Sequence, residues 1–272
     1  MPSITFIVPV GSEDVFQRCF MSSPLFGGES DFQILAQRGF KRSGEAFNDG
    51  LDRAVGDLIV CVHQDVVLPA MWAKRFLAAW RWIESPGIPV GVLGCIGMSS
   101  VGEQAGHIYR HDRELFPRQV LPAQVETLDE MLISFRKSSG LRFDPHLPSF
   151  FYYAVDMCLQ ASSKGLQNFA VDAPCFHQAK DRNQNLPNEF FVSQKYMIQK
   201  WRKVLPVQTL SGTLGGMATY WAQRVRQYLC RKIRYTPDPW WANLPRVDPG
   251  EILATDAALL EKERNLQACS RR

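Results

Sequence analysis

Three runs of strand length, Ile4–Val10, Leu58–Val62 and Pro89–Ile96, carry no charge and almost no polar side chain. A strand that is apolar at every position needs cover on both faces, which is the condition of a strand inside a parallel sheet. Amphipathic helical stretches separate these runs. Ser43–Ala54 places Phe47, Leu51 and Ala54 on one side with Ser43 as N-cap, and Met71–Ile83 is rich in tryptophan. The alternation predicts a Rossmann-like α/β fold, a mixed, mostly parallel sheet with helices on both faces. Further along, Asp14–Met21 reads as a helix, and Phe32–Ala36, Gln119–Glu126, Leu132–Arg136 and Phe169–Ala173 as strands. Tyr153–Lys164 reads as a helix stopped by Gly165, and Asn188–Val204 as another. Met98–Phe116, polar and glycine-rich with His107, His111 and Asp112, reads as a mobile loop.

Composition narrows the class. In 272 residues, 46% are apolar and 21% charged, so a packed core is expected, and disorder and coiled coil are not. The longest mostly apolar run, Ile88–Met98, has eleven residues, three of them glycine, against the roughly 20 needed to cross a bilayer. Ile4–Val10 has no basic flank and is too short and β-branched for a signal peptide, so a cytoplasmic protein is expected. The seven cysteines are scattered, with no C-x-x-C pair, as reduced core thiols would be. Charge is uneven. Residues 190–237 hold nine Lys or Arg and no Asp or Glu, leaving 22 basic against 27 acidic residues elsewhere. Within that basic region, Leu214–Arg234 interleaves aromatic and basic residues at helical spacing. Such a helix could pack on the body of the protein with its charges in water, or lie on an anionic membrane face. No nucleic-acid module accompanies it. We expect a domain over residues 1–205 and a basic helical C-terminal extension over 206–272.

Three polar residues end apolar elements: Asp65 after the run Leu58–Val62, Asp156 at a helix start, and His177 after the last strand. Open α/β sheets bind ligands at the carboxyl edge of their strands. An Asp and a neutral His there could hold a divalent cation, and an Asp near a helix N-terminus could act as a general base. Each also has a plain reading, as a turn former, a helix cap or a hydrogen-bonded histidine.

The order of these residues carries a resemblance. Ala46–Pro69 (AFNDGLDRAVGDLIVCVHQDVVLP) resembles the segment of family 2 nucleotide-sugar glycosyltransferases that leads to their Asp-x-Asp metal motif. The subgroup with His-Gln-Asp-Val, similar to streptomycin-cluster glycosyltransferase-like proteins, matches it best. VETLDE (Val125–Glu130), Phe143-Asp144, YAVDMCL (Tyr153–Leu159) and FAVDAPCFH (Phe169–His177) follow in the family's order, over roughly residues 3 to 205. The resemblance implies a glycosyltransferase A-type fold and the inverting transfer of one sugar from a nucleotide-diphosphate sugar to an acceptor hydroxyl. It implies Mg²⁺ or Mn²⁺ held by Asp65 and His177, with Asp156 as the base. Pro9, Val10, Gly11 and Asn48 would form the nucleoside pocket, joined on the diphosphate side by His63 and Asp65. The implied setting is bacterial polysaccharide, glycolipid or secondary-metabolite glycosylation.

This chain departs from the pattern in three places. His63 replaces the first Asp of the metal motif, Gln37-Arg38-Gly39 stands where a base-reading Asp is usual, and Met197–Trp201 lacks the Gln and Arg of processive synthases. Two rival readings remain: a non-catalytic nucleotide-sugar-binding module of the same fold, and a sugar nucleotidyltransferase. The second lacks a Gly-rich phosphate loop near the first strand.

Overall fold

The computed structural model describes residues 4–27, 32–116, 119–178, 186–233 and 240–269. Its centre is a seven-stranded sheet made of β1 (Ile4–Val10), β2 (Gln33–Arg38), β3 (Leu58–Val62), β4 (Val90–Gly94), β5 (Ala123–Val125), β6 (Leu132–Arg136) and β7 (Gln167–Ala170). The spatial order is β5-β7-β4-β6-β3-β1-β2. β1, β2, β3, β4 and β7 run in one direction, while β5 and β6 run against them. The sheet is thus mixed and mostly parallel, as the apolar runs predict. The direction of β6, wedged between β3 and β4, is not expected from its sequence.

Side-chain alternation along the central strands feeds two cores. Ile7, Ile59, Cys61 and Ile133 face one way, and Phe6, Val8, Val60 and Val62 the other. On the first face lie α1 (Ser43–Arg53), α3 (Tyr153–Ser163) and α4 (Asn188–Lys200), with Phe47, Tyr153 and Phe190 packed inward. On the second lie α2 (Trp72–Glu84) and the helical turns Glu13–Val15 and Phe16–Phe20, with Phe16, Phe20, Trp72, Phe76 and Trp80 in the core. The turn Phe16–Phe20 is wound as a π-helix, so the expected helix Asp14–Met21 is helical but irregular. Two helices follow: α5 (Met217–Lys232), and α6 (Pro249–Cys269), which returns to α2. There Asp256, 5% exposed, accepts the Met71 N–H at 2.7 Å and pairs with Arg75 at 3.1 Å.

Three local expectations are corrected. Ser43 does not cap α1: Arg42 holds the cap position, and the Ser43 hydroxyl donates to the Ser149 carbonyl at 2.9 Å. The cause is crowding, since a Cβ on Gly44 would stand 2.1 Å from the Asp144 carbonyl oxygen, so the helix start is pressed against the 143–149 loop. The run Pro89–Ile96 divides into β4 and a short strand Ile96–Met98, which joins Gln104–Gly106 and Thr127–Leu128 in a separate sheet. Residues 98–116 are not one loop. They supply Gln104–Gly106, Ile108–Arg110 and Arg113–Leu115, and the last two belong to a four-stranded sheet with Val66–Val67 and Phe176–His177. Strands of three residues are too short to show a period of two.

Candidate metal and anion site at the carboxyl edge

The four-stranded sheet is what assembles the site. β3 ends at Val62, and the chain turns through His63, Gln64 and Asp65 into the strand Val66–Val67. That strand pairs antiparallel with Phe176–His177, placing Val66 opposite His177, and the Gln178 N–H closes the ladder on the Asp65 carbonyl at 2.8 Å. Residues 112 apart in sequence are thereby set side by side. Asp65 Oδ1 stands 3.5 Å from His177 Nε2 and 3.9 Å from His63 Nδ1. One cation with ligand distances of about 2.1 Å bridges such spans. His63, Asp65 and His177 each offer a ligand atom within 4.8 Å of the others, the only such group among the described residues.

The electrostatics suit a cation. Burial of the Asp65 carboxyl works to raise its pKa, but the hydrogen bond from His177 and the charges of both imidazoles outweigh burial and hold it at about 2. Burial, reinforced by His177, pushes the His63 imidazole below its ordinary value. The site therefore offers an ionised carboxylate and, at His63, a neutral nitrogen, the forms that metals require. Two imidazoles and one carboxylate fit Mn²⁺ or a neighbouring transition ion better than Mg²⁺, which prefers an all-oxygen shell.

These residues open onto a cleft of about 1060 Å³ at the carboxyl ends of β1 and β3. Pro9, Val10 and Gly11 line it, together with His63, Asp65 and His177. Gln64 ties the two strand ends together, its Oε1 accepting the N–H groups of Gly11 at 3.0 Å and Ser12 at 2.9 Å. The wall also holds Gln37, which stands where a base-reading Asp is usual, and three residues that the sequence reading assigned no role: Arg18, Arg110 and Glu130. Arg110 is set in register beside His177, and its guanidinium lies 4.9 Å from the Trp241 ring. Gln37, 3% exposed, accepts a hydrogen bond from Arg53 at 3.0 Å, and its amide nitrogen has no partner.

Glu130 follows from the reversed direction of β6. The residue just before an antiparallel strand lies at the same edge as residues just after the parallel ones, and the His63 N–H donates to the Met131 carbonyl at 2.9 Å. Tyr152, held in the left-handed region at φ +70°, and Tyr153 turn their backbone N–H groups toward the Glu130 carboxyl. Burial and the nearby Asp129 nevertheless push its pKa well above the usual carboxylate range.

Two expected site residues lie elsewhere. Asn48 does not line the cleft: its side chain donates to the Phe143 carbonyl at 2.8 Å and accepts the Phe143 N–H at 3.1 Å, clamping α1 to the following loop. Asp156 is also absent from the cleft wall. Its carboxylate, in a residue 1% exposed, accepts from Trp201 Nε1 at 2.7 Å and Gln160 Nε2 at 2.7 Å, and pairs with Lys200 at 2.7 Å. Lys200 also reaches Asp144 at 2.6 Å, and Tyr196 donates to Asp144 at 2.8 Å. The carboxylate that the resemblance makes a base is the anchor of α4, every oxygen taken. This placement does not suit a proton acceptor for substrate.

No protein-family model matches the chain. A curated protein of Fuscovulum blasticum, described as "ATP synthase subunits region ORF 6", is 29% identical over 180 residues, covering 62% of this chain and 69% of its own length. Among solved structures, the mannosyltransferase PcManGT from Pyrobaculum calidifontis in complex with GDP-Man and Mn²⁺ is similar at 12% identity and a TM-score of 0.46. The match covers 95% of this chain and 70% of that one. S. aureus TarS 1–349 in complex with UDP-GlcNAc is similar at 12% identity and a TM-score of 0.46, with 74% and 67% covered. Superpositions this loose leave the chemistry to be read from the residues themselves.

Proposed function

We propose that the protein is a metal-assisted glycosyltransferase that binds a nucleotide-diphosphate sugar in the cleft and passes one sugar to an acceptor hydroxyl with inversion. The observation that carries this reading is the cluster His63, Asp65 and His177, set within 4.8 Å at the carboxyl edge of the sheet and opening on a cleft lined by the end of β1. Asp65, His177 and His63 would hold the cation, Mn²⁺ in preference to Mg²⁺. When bound, the cation supplies positive charge against the leaving diphosphate. Arg110 and Arg18 add cationic character to the same wall, which suits the diphosphate oxygens.

The acceptor's proton goes to Glu130. Among the described residues it is the one carboxyl besides Asp65 in the cleft wall, and a pKa raised by burial makes a carboxylate a stronger base once it ionises. Burial of Asp156 favours the reading of a binding module without turnover; Glu130 in the cleft offsets it.

A thermal-shift panel tests the reading. A cognate nucleotide sugar with Mn²⁺ at 100 times its dissociation constant should add about 2.7 kcal/mol of apparent stability. Asp65→Ala should lose that gain in Mn²⁺ and change little in EDTA. No stabilisation by any nucleotide sugar, with or without metal, would overturn the proposal.

A further inference from the structure

Helix α5 has one face packed and one bare. Tyr220, 8% exposed, meets Phe191 of α4 edge-on at 6.1 Å, Gln223 accepts from Gln194 at 2.7 Å, and Gln227 donates to the Leu186 carbonyl at 2.7 Å. At 100° per residue these three lie on one side of the helix. The opposite arc carries Met217, Trp221, Val225, Tyr228 and Leu229, continued by Ile233 just past the helix end. All are exposed, from 39% for Met217 to 70% for Ile233. Six large apolar side chains in one continuous stripe exceed the scattered exposure that soluble surfaces show. Among the described residues none covers them: α6, the next long helix, packs instead on α2 through Asp256 and Arg75.

Charge decides what fits this stripe. No Asp or Glu occurs anywhere in residues 190–237, against nine Lys or Arg. Arg226 flanks the apolar arc and Lys232 sits at its end, both exposed, while Arg224 on the other side is turned to the Phe191 ring and Asn188 of α4. A protein partner of ordinary composition would not require this one-signed field. A bilayer with anionic headgroups meets both demands, taking the apolar stripe at the acyl boundary and pairing the flanking cations with phosphate. Trp221 and Tyr228 have the amphipathic rings that settle at that depth. We infer that α5 is a membrane-docking helix that seats the protein on an anionic lipid surface. This inference stands apart from the glycosyltransferase reading, because it requires neither donor nor metal.

Sedimentation of the full chain with vesicles, in EDTA and without nucleotide, is the test. Binding to phosphatidylcholine vesicles containing 30% phosphatidylglycerol should exceed binding to pure phosphatidylcholine by well over tenfold, and should weaken between 50 and 500 mM NaCl; each charge contact is worth about fivefold. Arg226→Glu should lower binding about tenfold or more. Trp221→Ser with Leu229→Ser should lower it by a similar factor, and since both side chains are exposed the melting temperature should hold. Equal binding to both vesicle types, or none to either, would overturn the inference. So would a dimer in solution that the paired serine variant dissolves, because a second copy would then be the occupant of the stripe.

Discussion

Replacing Asp156 by Asn separates a catalytic carboxylate from a structural one. In the wild type the carboxylate holds three donors at 2.7 Å: Trp201 Nε1, Gln160 Nε2 and Lys200 Nζ. The amide keeps one acceptor oxygen, enough for Trp201, but sets its own N–H groups against Gln160 or Lys200. Lys200 is not orphaned, since Asp144 still holds it at 2.6 Å and its side chain is 26% exposed. The loss should thus fall short of the roughly 3–5 kcal/mol of breaking a fully buried ion pair and amount to about 2–3 kcal/mol, one or two charge-assisted hydrogen bonds. For a chain of this size that is a fall in melting temperature of about 5–10 °C. Scanning calorimetry measures it, alongside donor affinity and transfer rate at a temperature where the variant is folded. Stability should drop while transfer per folded molecule stays within a few fold. A transfer rate lower by 10² to 10⁴ with the melting temperature unchanged would refute the structural reading and restore Asp156 as the base.

Glu130→Gln is the complement: transfer should fall by about 10² to 10⁴ fold with donor affinity nearly unchanged, and a variant that turns over normally would remove Glu130 from the chemistry. His107 gives a pH effect. Burial works to lower its pKa, but Asp172 at 2.7 Å and Glu114 at 3.0 Å outweigh burial and raise it. The folded state then holds the proton more tightly, so this contribution to stability is full below the ordinary histidine value of about 6.5 and is lost as pH rises through the raised one. Urea unfolding from pH 5.5 to 8.5 should show wild type losing stability relative to His107→Gln as pH rises; a constant difference would show that the histidine is neutral throughout.

The parts legible in the sequence are those where a local pattern stops abruptly. LIVCV fails at His63-Gln64-Asp65, and a buried strand that ends in polar residues marks the carboxyl edge of a sheet without further information. His177 follows the apolar stretch FAVDAPCF, but β7 already ends at Ala170, and it is the short strand Phe176–His177 of the four-stranded sheet that carries the imidazole to Asp65. Glu130 is not legible, because Leu132–Arg136 reads the same in either direction, and only its pairing with Val62 and Gly94 reveals that its beginning lies at the cleft. Asp156 misleads for a related reason. Its apolar neighbours argue correctly that the carboxylate needs a polar outlet, but nothing near it shows that the outlet is Lys200 and Trp201, more than forty residues on. Arg110 is hidden because a three-residue strand has no readable period, and its stacking partner Trp241 lies in a segment whose composition is silent on chemistry.

The return of α6 to α2 also has a consequence in time. The Met71 N–H finds its acceptor 185 residues later, on Asp256. At synthesis rates of about 5–20 residues per second, roughly 10–40 s pass between the emergence of the two. During that interval the start of α2, beside the strand that follows the His63–Asp65 turn, lacks the carboxylate that will fix it. A nascent chain can therefore form β1 to β3 and the apolar face of α2 early, yet its Arg75 side remains uncovered until the last helix docks. Ribosome-bound chains stopped before residue 249 should be cleaved around residues 69–75 by a protease that leaves the completed protein intact there.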